Sequence, residues 1–229
     1  MGLQLSRSTG PKLSNEKLYH NTVGALWYIT ITRLEVSYIV NKLSRFLHCP
    51  TDMYRKACKW VLRCLHGSID HGLHIQSASG FSLTSISDAD WVRCVDDPRS
   101  ANGFYVFLGP NIISWSSRKQ KVVRKSNIEA WYKALAHTTV EVTWLQALLK
   151  DLQVPSSSRP LIWCDNIRVA CITAKLVAHA RTKQMEVDVH FVRDKVLQKE
   201  LDIRYVPSYK RSGSWYTNNG LVYIPVQHP

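Results

Sequence analysis

Acidic residues are scarce in this chain of 229: 17 Asp and Glu stand against 30 Lys and Arg, leaving a formal net charge of +13. No Asp or Glu occurs after Asp202. No apolar run approaches the ~20 residues that a membrane-spanning helix needs. The opening Met1-Gly2-Leu3-Gln4-Leu5-Ser6-Arg7 lacks the apolar core of a secretory signal, so a cytoplasmic or nuclear location is expected. The same opening fits the N-myristoylation pattern through Gly2 and Ser6, a short pattern that chance supplies readily. Cys49, Cys58, Cys64, Cys94, Cys164 and Cys171 form no CxxC pair and no zinc spacing against the histidines. Idle thiols in a reducing compartment are the expectation. The acid deficit favours a polyanionic partner, nucleic acid first.

What is present falls into four stretches. Residues 1–16 are polar, carry Gly10-Pro11, and read as a disordered lead. Residues 17–76 read as a helical arm. Leu18, Thr22, Ala25 and Ile29 recur at helical spacing, and Val36, Ile39, Val40, Leu43, Phe46 and Leu47 do so more strongly, up to Pro50. Thr51 is the expected N-cap of a third helix whose apolar face is Tyr54, Ala57, Val61, Cys64 and Leu65, ended by Gly67. The polar sides of the last two helices carry Lys42, Arg45, Arg55, Lys56, Lys59 and Arg63, either a backbone-contacting face or an ordinary solvated surface.

Residues 80–207 read as an α/β domain. Strands are expected at Phe81–Ile86, Gly103–Leu108 and from Ile112 to Trp115 and beyond, an antiparallel meander. A long helix follows over Asn127–Leu149, then a buried strand at Leu161–Cys164, a helix from Asn166, another over Met185–Gln198 and a last strand at Leu201–Val206. That order points to a mixed sheet with helices packed on it. Residues 208–229 form a tail.

Asp88 follows the first strand and Asp165 the fourth. If those strands are neighbours, the two carboxylates meet, and paired carboxylates suit a hard cation such as Mg²⁺. Strand-end Asp is also common simply as a turn former or helix cap, so the pair alone decides nothing.

A set of ordered motifs carries more. Ser87-Asp88-Ala89-Asp90-Trp91, Asp96-Asp97 with Arg99-Ser100, Ile113-Ser114-Trp115-Ser116-Ser117 with Lys119-Gln120, Thr143-Trp144-Leu145, Trp163-Cys164-Asp165-Asn166, His179-Ala180-Arg181-Thr182-Lys183, His190-Phe191-Val192-Arg193 and Tyr205-Val206-Pro207 resemble the ribonuclease H region of copia-type retrotransposon Pol polyproteins. Val23-Gly24-Ala25-Leu26, Thr32-Arg33, Val40-Asn41-Lys42 and Leu62-Arg63 resemble the part after the reverse transcriptase palm, so the arm is similar to the C-terminal part of that enzyme. The resemblance runs from about Tyr19 to Pro207. It implies a ribonuclease H fold and a parent activity that cuts the RNA strand of RNA–DNA hybrids, with four carboxylates holding two Mg²⁺ ions.

Two of those four positions are kept, Asp88 and Asp165. The second acidic position, the last Glu of a Ser-Thr-Glu-Ala-Glu-Tyr pattern in the family, is Trp131 in Asn127-Ile128-Glu129-Ala130-Trp131-Tyr132. Glu129 is no substitute, because two helical residues turn roughly 200° about the axis. The fourth position falls on Ser214. The family's Gly-Asp after Asp-Trp is Arg93-Cys94 here, the Pro after Thr32-Arg33 is Leu34, and the His after Lys183 is Gln184. Arg93 beside carboxylates would compete with metal for their charge. The palm's metal-binding Asp-Asp motif is absent from this chain, so no polymerase activity is expected.

Three readings stay open at this stage. One is a catalytically impaired nucleic-acid-binding module for hybrid or duplex, with Arg118, Lys119, Lys121, Arg124 and Lys125 on the phosphates and Trp115 and Trp131 stacking on bases. Another is residual Mg²⁺-dependent cleavage. The last is a transposon relic with no selected function.

Overall fold

The computed structural model describes residues 11–69, 72–73, 75–90, 99–120, 127–156, 158–174 and 183–207. They fall into two compact units that part after Leu73. No helix among the described residues is long and apolar enough to cross a membrane.

The first unit holds three helices, α1 (Glu16–Ile29), α2 (Leu34–Ser44) and α3 (Asp52–Gly67). Each turns an apolar stripe inward at three-and-four spacing, which is what a surface helix needs to bury one face. Tyr19, Val23 and Leu26 of α1 meet Val36, Val40 and Leu43 of α2 and Tyr54, Ala57, Cys58 and Val61 of α3. Polar ties fix the angles between them. The Tyr19 hydroxyl donates to the Leu43 carbonyl at 2.9 Å, and the Phe46 and Tyr54 rings stack at 4.4 Å. Arg33 pairs with Glu35 and donates to the Ser68 carbonyl at 2.9 Å, joining the start of α2 to the end of α3. Burial raises the Cys58 thiol to about 11, keeping it protonated and inert near neutral pH.

Two expectations for this unit change. Residues 11–16, assigned to the polar lead, are part of the fold. The Leu13 N–H donates to the Pro50 carbonyl and the Asp52 N–H to the Pro11 carbonyl, because Leu13, only 9% exposed, offers the bundle an apolar anchor. Residues 1–10 lie outside the described residues. Thr51 does occupy the N-cap position, but its side chain makes no cap hydrogen bond. Its extended backbone (φ −110°, ψ 169°) is bridged to Lys12.

The second unit is the mixed α/β sheet that the element order predicts. Its strands are β1 (Leu83–Asp90), β2 (Ala101–Leu108), β3 (Asn111–Lys119), β4 (Leu161–Cys164) and β5 (Asp202–Tyr205), in the order β3-β2-β1-β4-β5. The meander β1–β2–β3 is antiparallel, while β4 joins β1 and β5 joins β4 in parallel. Parallel neighbours require crossovers, and these are supplied by α4 (Asn127–Asp151) between β3 and β4, and by α5 (Ile167–Ala174) and α6 (Lys183–Leu197) between β4 and β5. Alternation sends Leu83, Ala89, Phe104, Val106, Ile162 and Cys164 to one face. There they pack with Tyr132, Leu135 and Val142 of α4, Val169 of α5 and Val189 and Val192 of α6.

Two substitutions probe this arrangement. Leu135 is fully buried, so Leu135→Ala should lower unfolding stability by about 2–5 kcal/mol through lost burial and a cavity. Gly109 has φ +58°, and a Cβ there would lie 2.9 Å from the Gly80 carbonyl oxygen. Gly109→Ala should therefore destabilise by more than about 1 kcal/mol. Urea titration of both variants measures the losses, and an unchanged midpoint for either contradicts its placement.

Candidate active site

The site is set by strand register. Ser87 of β1 pairs with Cys164 of β4, so Asp88 and Asp165, each one residue further on, lie side by side at one end of neighbouring parallel strands. The interstrand spacing there is ~4.8 Å. The sequence places Asp88 after its strand, but it lies within β1, opposite Gly103 of β2. The strand runs on because the β2 pairing continues to Asp90 and Ala101. Asp88 and Asp165 are both half-buried, and one carboxylate oxygen of Asp165 is wholly enclosed. Asn166 then caps α5, its side-chain oxygen accepting from the Arg168 N–H at 3.1 Å and the Val169 N–H at 3.2 Å.

The first turn of α4 is brought to this end of the sheet by Gln120. Its side-chain amide, 5% exposed, donates to the Ala130 carbonyl at 2.8 Å, and its backbone N–H donates to the Ser100 carbonyl at 2.8 Å. This anchoring role escaped the sequence reading, where Lys119-Gln120 was only part of a motif. The next residue, Trp131, is 8% exposed and belongs to the hydrophobic core. Glu129 is also buried, at 7% exposed.

The basic run divides. Lys119 pairs with Ala101 and Arg118 with Asn102, so alternation sends them to opposite faces. Lys119 shares the Asp88 face and Arg118 the α4 face. Lys121, Arg124 and Lys125 lie outside the described residues, as do Arg93 and Ser214. The expected stacking pair is also corrected: Trp131 offers no face to a base because it is core, whereas Trp115 is half-buried on β3.

Arg118 has neighbours that the linear sequence did not suggest. It and Lys133 act on His137 of α4, whose ring lies 6.1 Å from that of Phe104. Burial first, then the charges of Lys133 and Arg118, lower the His137 pKa below its ordinary 6.5, with Glu141 opposing. Lys133 itself is paired with Asp188 of α6 at 3.0 Å, and Glu141 accepts from the Ser114 hydroxyl at 2.7 Å. The i, i+4 spacing of Lys133, His137 and Glu141 was the available signal.

Among the described residues no group of three or more His, Cys, Asp or Glu side chains is placed to hold a metal ion. Of the four positions that the resemblance implies, Asp88 and Asp165 lie side by side on neighbouring strands, Trp131 is on α4, and Ser214 lies outside the described residues.

No family model matches the chain. It is 41% identical to the Pol polyprotein of the Arabidopsis thaliana transposon RE2 over 206 residues, which cover 90% of this chain and 14% of that protein. It is also 32% identical over 108 residues to an uncharacterized mitochondrial protein of Arabidopsis thaliana, covering 45% of this chain and 96% of that one. The chain belongs to the copia-type retrotransposon Pol family. It spans about a seventh (14%) of the polyprotein relative, and its second unit is the mixed five-stranded sheet with helices described above. Among solved structures, the LC11 ribonuclease H1 aligns with 61% of the chain and 95% of its own length at 14% identity and TM-score 0.44. Within this Pol family member, Trp131 stands on the helix that approaches the Asp88–Asp165 end of the sheet, held there by Gln120.

The lowered His137 pKa carries a sign. The unfolded chain takes up the proton at a higher pH than the folded one, so stability should fall as pH drops below about 6.5 and level off below the folded value. His137→Gln should flatten that part of the profile. Thermal unfolding of both proteins between about pH 5 and pH 8 measures it, and parallel profiles contradict the assignment.

Proposed function

We propose that the ribonuclease H-like unit is a nucleic-acid-binding module for RNA–DNA hybrid or duplex that no longer cleaves it efficiently. One observation carries the reading: where the resemblance places a metal-binding glutamate, this chain has Trp131, and that side chain is buried in the hydrophobic core. A two-ion mechanism needs carboxylates to neutralise and fix both cations. Two aspartates supply half of the family set, and tryptophan supplies no ligand. Loss of even one member of such a cooperating set costs orders of magnitude in rate.

Binding makes a smaller demand on the chain. The backbone of a duplex is met by positive charge at many points, and the net charge of +13 is compatible with that. Arg118 and Lys119 at the end of β3 supply cations at the same end of the sheet as Asp88. Trp115 is the one member of the proposed stacking pair that is not core. The sequence neighbours Lys121, Arg124 and Lys125 extend the basic run, and their contribution is part of the proposal.

Two assays on the purified protein test this reading. Labelled hybrid should bind at low salt with affinity falling steeply as salt rises, and Arg118→Gln with Lys119→Gln should reduce the slope of log K against log[salt] by ~1.8. No cleavage above background should appear in Mg²⁺ or Mn²⁺. Trp131→Glu combined with Ser214→Asp should bring cleavage up, and Asp88→Asn should abolish that gain. Wild-type cleavage that Asp88→Asn abolishes would establish residual nuclease activity and sink the proposal, as would absence of binding at low salt.

A further inference from the structure

Helix α4 is apolar on more than the face it turns to the sheet. Leu135, Val142, Leu145 and Leu149 belong to the core of the second unit. About 100° round the helix from Leu145 and Leu149, a second apolar row runs along the C-terminal half. Val140, Trp144, Leu148 and Leu152 follow one another at i, i+4 and are 37–63% exposed. Leu152 stands just past the helix end, and its N–H still donates to the Leu148 carbonyl at 2.9 Å. Single exposed apolar side chains are ordinary on a protein surface, whereas a contiguous row marks a contact site.

Beside this tall row lies a low one. Thr143 and Ala147, also four apart, line one side of a groove of about 440 Å³, with Leu83 and Val154 among its other walls. Leu83 opens β1, so the groove lies at the end of the sheet away from Asp88. Packed helices interlock when the i±4n ridge of each enters the groove beside the ridge of the other. A surface that carries such a ridge and groove side by side is complementary to itself under a two-fold rotation.

Charge points to the same occupant. Two copies of a chain with a net charge of +13 repel wherever their basic surfaces face each other. From Thr139 to Leu152 the charged residues are Glu141, Lys150 and Asp151, two acids against one base. This half of α4 therefore lets a second copy approach without meeting like charge.

We propose that the outer face of α4 is a two-fold interface between two copies of this chain. Trp144 and Leu148 of each copy enter the groove beside Ala147 of the other. One helix pair buries less than the ~1,600 Å² of a standard interface, so the dimer is a reversible one of micromolar affinity.

Sedimentation velocity of the full chain, freed of nucleic acid and at about 0.5 M salt to screen its net charge, tests this over ~1–100 µM protein. Wild type should pass from monomer to dimer in that range. Trp144→Ser with Leu148→Ser removes the ridge, while Ala147→Trp fills the groove and adds apolar surface. These positions are exposed, so both variants should keep the wild-type far-UV circular dichroism and melting temperature. If one does not, the other decides. Each should weaken the dimer at least ~10-fold. Non-specific apolar sticking would instead grow with Ala147→Trp, so a dimer tightened by that change overturns the proposal. A dimer that survives both variants also overturns it, as does a wild-type monomer at every concentration, which would leave the row to a different protein partner.

Discussion

Everything at the candidate site depends on β1 being paired on both sides, antiparallel to β2 and parallel to β4. The β4 pairing brings Asp165 beside Asp88, although 76 residues of chain separate them (165 − 88 − 1). The β2 pairing continues past Asp88 to Asp90, holding that carboxylate on a rigid ladder. Parallel pairing is possible only because α4 spans the crossover and buries its apolar stripe against β1 and β2. The helix that makes the sheet thus also starts at this end of it, and Trp131, just past its first turn, is where the chain departs from the pattern that the resemblance implies.

That departure has a physical consistency. A carboxylate near a strand-end aspartate pair is costly without a cation to neutralise it, because like charges at short range cannot all ionise freely. A tryptophan in that place buries a large apolar surface and joins the same cluster as Ala89, Phe104 and Cys164. On the proposed reading, the exchange substitutes core packing for metal coordination and leaves the fold coherent with the site short of ligands.

The sequence made most elements legible because their periodicities are strong. The strand at Leu161–Cys164 and the helix from Asn127 emerged with the right type and nearly the right ends. The pairing partners were less accessible: alternation in β1 says which residues share a face, but not that β4 lies beside it. Side-chain destinations were least accessible. Trp131 read equally well as a stacking residue and as core, since one tryptophan on a helix satisfies either pattern, and only its packing against the sheet decides. Arg118 and Lys119, adjacent in sequence and read as one patch, separate because a strand alternates its faces. The Lys133–His137–Glu141 series went unremarked because a surface helix is full of such spacings, and Arg118 joins it only once β3 is placed.

The central claim is that the Asp88–Asp165 end of the sheet no longer holds a pair of divalent ions. Electron paramagnetic resonance of Mn²⁺ titrated into the folded protein counts bound ions directly and needs no substrate. The account predicts at most weak binding that vanishes in Asp88→Asn, with no pair of spin-coupled ions at any concentration. Two Mn²⁺ ions bound at stoichiometric concentrations and coupled to each other, both lost on Asp88→Asn, would contradict it.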